Sequence, residues 1–242
     1  MRTQDSEKKL FLLDAYALIF RAYFAFSKNP RINSKGLNTS AIFGFVNSML
    51  EIIKNENPSH LAVVFDPPTK LKRAEIYSEY KANRNETPED IKLSVPYIFE
   101  ILQAMNIPVV MQDGYEADDV IGTLAKQASA RDWDTLISTG DKDMAQLVNQ
   151  HVTLMNTMKG EYLDEAGVNE KFGIPPNLII DFLALMGDSV DNIPGVAGVG
   201  QKTALALLNG LGSIDDIYQN LDKVKTLEFR GAKTLAEKKL IP

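Results

Sequence analysis

The chain has no cysteine, two histidines and one tryptophan among its 242 residues. The absence of cysteine excludes disulfides, thiol nucleophiles and thiolate zinc sites. With only His60 and His151 to supply imidazole, a Ser-His-Asp relay has almost nothing to build with. Each histidine borders an apolar run, at 61–65 or 152–155, and reads as a strand-edge surface residue. No run of about 18 apolar residues occurs, so no membrane partner is expected. Lys8 and Lys9 precede an apolar run, but Asp14 interrupts it and no small-residue cleavage site follows. That argues against a signal peptide and for a cytoplasmic location.

What is present is ordinary in bulk: 45% hydrophobic and 24% charged residues, as in soluble globular proteins. The length suits one large domain, or one domain with a small appendage, and is enough to bury a real core. The net charge of -6 argues, taken alone, weakly against a polyanionic partner.

Strand-like and helix-like segments alternate. Residues 10–13, 61–65, 107–111 and 135–138 read as strands, and 39–53, 95–105 and 117–128 as helices. This alternation implies an α/β fold: a parallel or mostly parallel sheet with helices on both faces. Residues 67–85 break the pattern with a long polar connection holding Lys70, Lys72, Arg73, Lys81 and Arg84. Long connections inside compact domains are usually functional or disordered. Beyond Tyr162 the character is helical: Pro175 and Pro176 start a helix over 177–186, and a glycine-rich stretch at 193–200 opens another at Gln201.

Three strand-like segments each lead into an aspartate: Asp14, Asp66 and Asp141. Parallel strands put such residues on one rim, outside the carboxyl ends where open α/β sheets bind ligands. A single aspartate there is ordinarily a turn residue or helix cap; three are harder to dismiss. Glu116, Asp118 and Asp119 open a helix directly after a strand and turn. The helix dipole favours acids there, but three in four positions exceed what capping needs. Asp141 and Asp143 are two apart; Asp188 and Asp191, three apart, are expected on one side of a helical turn. Nine carboxylates in one cleft would repel each other without cations, and hard divalent ions with oxygen ligands, Mg2+ or Mn2+, are the natural counterions. Two such ions stabilise the attacking and leaving oxygens of a phosphodiester displacement, a chemistry that needs carboxylates and no histidine. Setting these nine aside leaves 23 of the 32 acidic residues against 26 basic ones, so the rest of the chain is net +3. The acidity is concentrated in the candidate site, and the net charge no longer argues against DNA.

Tyr77, Tyr80, Lys81 and Arg84 lie close together, with Arg73 one helical face back. Lys81 and Arg84, three apart, would project together from a helix. Interleaved aromatics and cations suit single-stranded nucleic acid, through stacking and phosphate contacts; the plain alternative is a solvated charged loop. Gly195 and Gly200 have P-loop separation, but Gln201 stands where the lysine should be and no strand precedes the loop, so ATP binding is rejected. The spacing better suits a helix-hairpin-helix, which grips DNA backbone without reading sequence, or else a tight interhelical turn.

These segments, LFLLDAYALIFRAYFAF, AVVFD, YKANR, GYEADDVIGTLA, STGDKDMAQLV and LMGDSVDNIPGVAGVGQKTA, resemble the 5' nuclease domain of bacterial DNA polymerase I, within the flap endonuclease and 5'-3' exonuclease family. The resemblance runs along essentially the whole chain. It implies a central mostly parallel sheet flanked by helices, a helical arch and a C-terminal helix-hairpin-helix region. It implies a single 5' nuclease domain over 1–242, with an α/β core at 1–174 including an arch segment at 67–88. A helical part at 175–242 would hold the helix-hairpin-helix at 187–209. The implied activity is two-metal removal of 5' flaps, RNA primers and nucleotides from duplex ends, in replication primer removal and DNA repair.

By the same resemblance, the metal-site acids are Asp14, Asp66, Glu116, Asp118, Asp119, Asp141, Asp143, Asp188 and Asp191, with Asp118 and Asp141 among the catalytic residues. Lys81 and Arg84 match the arch residues that contact the scissile phosphate, and Tyr80 the aromatic at the arch base. Arg21 and Arg73 match further phosphate contacts, and Gly198, Gly200 and Lys202 a duplex grip that in relatives can hold K+. Expected cofactors are two or more Mg2+, with Mn2+ as substitute. Expected partners are DNA with a 5' flap, nick or 5' end, an RNA primer on DNA, and a polymerase fused or separate. A monomer associated with the bacterial nucleoid is the corresponding expectation.

The sequence departs from the family pattern at three points. Lys72 stands where relatives commonly have an aromatic, and Ala197 replaces a frequent proline. The sequence ends at 238–242 where relatives continue with more helices, so a truncated domain or a shorter stand-alone nuclease is expected. A DNA-binding module without catalysis would need a broken acidic set. A haloacid-dehalogenase-type phosphotransferase wants a second aspartate two residues after the first, where Tyr16 stands. A PIN-type RNase shares the acidic rim but not the hairpin sequence.

Overall fold

Residues 10–13 are apolar without alternation, and a strand of that kind is stable only with both faces covered. The computed structural model, which describes residues 8–156, 160–227, 229 and 232, gives that strand a central place. In chain order the strands and α-helices up to residue 164 are β1 (Lys9–Asp14), α1 (Ala15–Ala25), α2 (Ser40–Glu56), β2 (His60–Val64), α3 (Lys72–Ile76), α4 (Glu89–Ala104), β3 (Val109–Val110), α5 (Ala117–Ser129), β4 (Asp134–Ser138), β5 (Val152–Asn156) and β6 (Glu161–Leu163), with a short 3-10 helix at Asp143–Leu147 between β4 and β5. The chain divides into two compact units. One holds the residues up to Lys72 and Asn85–Asp164; the other holds Arg73–Arg84 and the residues from Glu165 onward.

In the first unit the strand order is β3-β2-β1-β4-β5-β6. The first five strands are parallel; β6 returns antiparallel to β5. Leu10 of β1 lies opposite His60 of β2 on one side and Thr135 of β4 on the other. Phe11 and Leu13 join a core with Leu18, Phe45, Ile52, Val63, Phe65 and Ile98, from β1, α1, α2, β2 with the residue after it, and α4. Leu12 and Ile137 alternate to the other face, where α5 packs on β1, β2 and β4, and both are fully buried. A fully buried leucine contributes on the order of 2 kcal/mol, so this central strand anchors the residues that follow it.

α4 starts at Glu89, six residues before the expected 95. Pro88 supplies an extended N-cap and Glu89 and Asp90 meet the positive helix end, while Pro96 lies inside the helix instead of opening it. The strand expected over 107–111 shrinks to β3, with two residues. α1 was not among the expected helices; it follows β1 with no intervening turn because Asp14 Oδ1 caps it, accepting from the Ala17 N–H at 3.0 Å.

The second unit contains α6 (Glu165–Phe172), α7 (Ile179–Met186), α8 (Gln201–Leu211), α9 (Ile214–Gln219) and α10 (Leu221–Val224). A short 3-10 turn at Pro176–Leu178 precedes α7 where helix was expected from 177. Val168, Ile179, Phe182, Leu185, Leu207 and Leu208 are buried in it. The polar connection contains one short helix, α3; residues 78–83 are turn. Arg73–Arg84 group with this helical unit. Residues 238–242 lie outside the described residues. Among the described residues, no helix is long and apolar enough to cross a membrane.

Candidate functional site

In the first unit, β2, β1 and β4 are adjacent and parallel. Asp14 ends β1, Asp66 follows β2 by two residues and Asp141 follows β4 by three, so all three acids gather at one rim. Asp14 is buried. Its carboxyl is held above the ordinary value, first by loss of solvation, then by the charges of Asp66 and Asp141; hydrogen bonds from Ala17 N and Thr139 Oγ1 act the other way. Thr139 is the organising residue: its hydroxyl donates to Asp14 Oδ2 at 2.9 Å and accepts from the Asp141 N–H at 3.0 Å. Asp141 Oδ1 in turn accepts from the Asp143 N–H at 2.8 Å. The pKa of the Tyr16 phenol, on α1 two residues after Asp14, is also raised, by burial and by the charge of Asp66.

Asp66 is fixed from across the chain. Its Oδ1 accepts from the Ala117 N–H at 2.7 Å, the first residue of α5. That places a carboxylate on the positive end of a helix, a favourable setting. Glu116, buried, is the N-cap of α5, and its N–H donates to Asp119 Oδ2 at 3.1 Å. Asp118 lies in the same first turn. Below this junction the segments after Asp66 and before Glu116 are clasped together. Thr69 Oγ1 donates to Asp113 Oδ1 and accepts from Gly114 N, and Lys72 N donates to Gly114 O at 3.0 Å. Lys72 Nζ donates to the Tyr115 hydroxyl at 2.7 Å and sits 4.2 Å from that ring's centroid.

In the second unit, Asp188 and Asp191 stand in a turn closed by a bridge between Asp188 and Ile193. They are not on a helix, and they do different work. Asp188 is buried and its Oδ1 accepts from the Val190 N–H at 2.7 Å, bracing its own turn. Asp191 faces the basic segment: it accepts from Arg84 Nη2 at 2.6 Å and from the Tyr80 hydroxyl at 3.2 Å, and lies 3.7 Å from Lys81 Nζ. Lys81 and Arg84 come together through a turn, not a helix, because Lys81 has φ +56°. A helix cannot pass through that conformation.

α7 and α8 are joined by this turn and the glycine stretch. Gly187 and Gly195 pack backbone against backbone: a Cβ on Gly195 would lie 2.3 Å from the Met186 carbonyl carbon. Gly198, at φ +83°, has open space beside it, and Gly200 is the N-cap of α8. Lys202 is exposed on the first turn of α8.

The family model for the N-terminal, resolvase-like domain of 5'-3' exonucleases matches residues 9–173, and that for their C-terminal SAM fold matches 174–240. The chain belongs to the 5'-3' exonuclease family. It is 50% identical over 234 residues to a DNA polymerase I of Pseudomonas aeruginosa, covering 96% of this chain and 25% of that protein. It is 43% identical over 226 residues to a 5'-3' exonuclease of Aquifex aeolicus, covering 93% of this chain and 77% of that one. The chain therefore spans a quarter of the polymerase and most of the Aquifex protein. Among solved structures it shares the fold of a bacteriophage T5 flap endonuclease in a pseudo-enzyme-product complex with DNA and metal ions. The TM-score there is 0.73 at 22% identity, covering 96% of this chain and 85% of that one.

In this member of the 5'-3' exonuclease family, the first unit brings Asp14, Asp66 and Asp141 within electrostatic reach, with Asp143 tied to Asp141 and the α5 acids tied to Asp66 through Ala117. The second unit gathers Tyr80, Lys81, Arg84 and Asp191. Arg73 is exposed on α3. Arg21, assigned a phosphate contact, lies half-buried on α1 and donates to Ser48 Oγ on α2 at 2.6 Å; burial lowers its pKa, with Glu51 opposing. Sequence reasoning missed Thr139 and the Lys72–Tyr115 pair. Thr139 lies inside the STGDKDMAQLV motif with no feature that marks its role, and Lys72 reads as one cation of the polar connection and as a departure from the family pattern.

Among the described residues, no three acidic or imidazole side chains form a ready cage for a metal ion. The donor set nonetheless fits Mg2+ or Mn2+. It is all carboxylate oxygen, and Mg2+ retains several waters instead of demanding a full protein cage. A cation beside Asp14, which is buried with two like charges nearby, would favour its charged form.

Proposed function

We propose that this nuclease hydrolyses DNA phosphodiesters near 5' ends, acting as a 5'-3' exonuclease and 5'-flap endonuclease by a two-metal mechanism. The observation that carries the reading is the gathering of Asp14, Asp66 and Asp141 at the ends of three adjacent parallel strands, with the charges of the last two felt by a buried Asp14. Residues that would hold Mg2+, or Mn2+ in its place, are Asp14, Asp66, Glu116, Asp118, Asp119, Asp141 and Asp143; Asp188 and Asp191 join them on the family resemblance. Bound there, the ions supply Lewis acidity to the phosphate oxygens. Lys81 and Arg84 stabilise charge on the phosphate, and Tyr80 offers a stacking face. The open backbone around Gly198 and Gly200, with Lys202, grips the duplex and is the place for K+.

The substrates are DNA with a 5' flap, nick or end, including an RNA primer on DNA. The roles are primer removal and repair at the nucleoid in the cytoplasm, acting as a monomer beside a fused or separate polymerase. The bacteriophage T5 complex with DNA and metal ions supports this choice of ligands. The test is a cleavage assay on 5'-flap, nicked and blunt DNA with and without Mg2+. Asp118→Asn and Asp141→Asn are expected to abolish cleavage while flap binding persists; full cleavage by either variant at saturating Mg2+ would overturn the reading.

A further inference from the structure

The phosphate-contacting cations of the second unit already hold an anion, and it belongs to the protein. Asp191 takes the Arg84 guanidinium at 2.6 Å through Oδ1, and the Tyr80 hydroxyl at 3.2 Å and Lys81 ammonium at 3.7 Å through Oδ2. The backbone is locked to the same turn: the Lys81 N–H donates to Asp191 O at 3.0 Å, Asn83 Nδ2 to Ser189 O at 2.8 Å, and Asn192 Nδ2 to Glu79 O at 2.8 Å. Lys81 adopts the left-handed φ of +56° inside this lock. A lysine there costs on the order of 1 kcal/mol, so the surrounding bonds must hold it. The side chains of Lys81 and Asp191 are only 15% and 20% exposed, which limits screening by solvent; Arg84 is 48% exposed.

We propose that Asp191 is a positioning residue that occupies the seat of a nucleic-acid phosphate and is displaced by it. A carboxylate and a phosphate present the same kind of oxygen acceptors to a guanidinium, an ammonium and a hydroxyl. In the substrate-free protein Asp191 keeps Tyr80, Lys81 and Arg84 converged, so the phosphate meets a formed site. The backbone bonds from Lys81, Asn83 and Asn192 do not use the carboxylate, so the segment keeps its docked shape when the side chain leaves. The carboxylate competes with the ligand it prepares for, which lowers affinity for backbone phosphates in general. This role rests on the functional reading above and assigns Asp191 work separate from holding a metal.

The test is binding of a labelled 5'-flap DNA to the whole chain in chelator, so that no metal contributes. The proteins are wild type, Asp191→Asn, Arg84→Gln and the double variant. Asp191→Asn keeps the shape and an acceptor but loses the charge, and is expected to bind about 10-fold more tightly. A merely structural role would not yield a gain. The gain is expected to shrink to about 2-fold or less in the Arg84→Gln background, because the coupling runs through that pair. Equal or weaker binding by a folded Asp191→Asn protein, or a gain undiminished without Arg84, would overturn the proposal while leaving the nuclease reading intact. Absence of flap binding and of Mg2+-dependent cleavage in the wild type would overturn both.

Discussion

Ala117 donates its backbone N–H to Asp66 Oδ1 at 2.7 Å, across 51 residues of sequence. One strand-end acid is thereby fastened to the helix start that carries Glu116, Asp118 and Asp119. The bond separates two functions of Asp66 that substitution can pull apart. Asp66→Asn keeps an acceptor for Ala117, so metal-free stability should fall by less than about 0.5 kcal/mol, whereas Asp66→Ala leaves a helix N-terminal donor without its partner and should cost about 1–2 kcal/mol. Both variants should lose at least about 100-fold in cleavage, since either removes a charge from the candidate metal site. Urea unfolding in chelator, beside the flap assay, distinguishes them; equal stability losses would mean that the bond does not fasten α5.

Asp14 gives a dependence on pH whose direction is fixed by its raised pKa. Its ordinary value is 3.8, and burial followed by Asp66 and Asp141 lifts it in the folded protein. The folded state therefore binds the proton more tightly than the unfolded state. Below 3.8 Asp14 is neutral in both states and does not oppose folding. As pH rises through the window from 3.8 to the folded-state pKa, the folded protein must accept a buried charge and stability is lost. In chelator at neutral pH, Asp14→Asn should be more stable than wild type by about 1–3 kcal/mol. The gap should close below pH 3.8. Saturating Mg2+ should stabilise the wild type more than the variant. Melting curves across pH check all three; a variant less stable than wild type at neutral pH would contradict the assignment.

Several of these relationships were readable before the structure, and the reasons differ by residue. β1 was legible because the short apolar LFLL run is strand length and begins a strand-helix alternation, and the aspartates after β1, β2 and β4 follow from parallel order. α1 was not legible, since AYALIFRAYFA continues the apolar strand with no glycine or proline between. α4 was misplaced because Pro96 reads as a boundary, whereas Pro88 is the one that starts the helix. Lys81 carries no mark of its left-handed backbone, which in sequence is announced by glycine or asparagine. The Asp191–Arg84 pair joins residues 107 apart, and only the fold could bring it to light.

The Lys72–Tyr115 pair offers a test of how the α5 acids are held. Lys72 Nζ makes both a hydrogen bond and a cation–ring contact with Tyr115, and Tyr115 immediately precedes Glu116. Tyr115→Phe removes the hydroxyl and keeps the ring; Lys72→Met removes both interactions and keeps the stem. Both groups are exposed, so the stability cost should be about 0.5 kcal/mol for Tyr115→Phe and about 1 kcal/mol for Lys72→Met. The double variant should cost less than the sum, because the same contact is lost twice. A double-variant cycle by urea unfolding reads the coupling, and additive losses would mean that the two residues are neighbours without being partners.

Gly187 and Gly195 set the sharpest expectation in the second unit. Gly187 has φ +78°, and a Cβ there would lie 2.4 Å from Gly195 N; a Cβ on Gly195 would strike the Met186 carbonyl and Gly187 N. The obstacles are backbone atoms, which cannot swing aside as a side-chain end can. Alanine at either position should therefore cost about 3 kcal/mol or more, the scale of overpacking combined with lost turn geometry. Gly198 is the control: its φ of +83° disfavours a side chain, but nothing lies within 4 Å. Gly198→Ala should cost only about 1 kcal/mol, from the backbone preference alone. That variant stays folded, so any weakening of its duplex binding reads the hairpin's part in the grip without loss of structure. Unfolding midpoints for the three alanine variants decide the matter. Comparable costs at Gly195 and Gly198 would show that the close backbone crossing does not hold α7 to the hairpin.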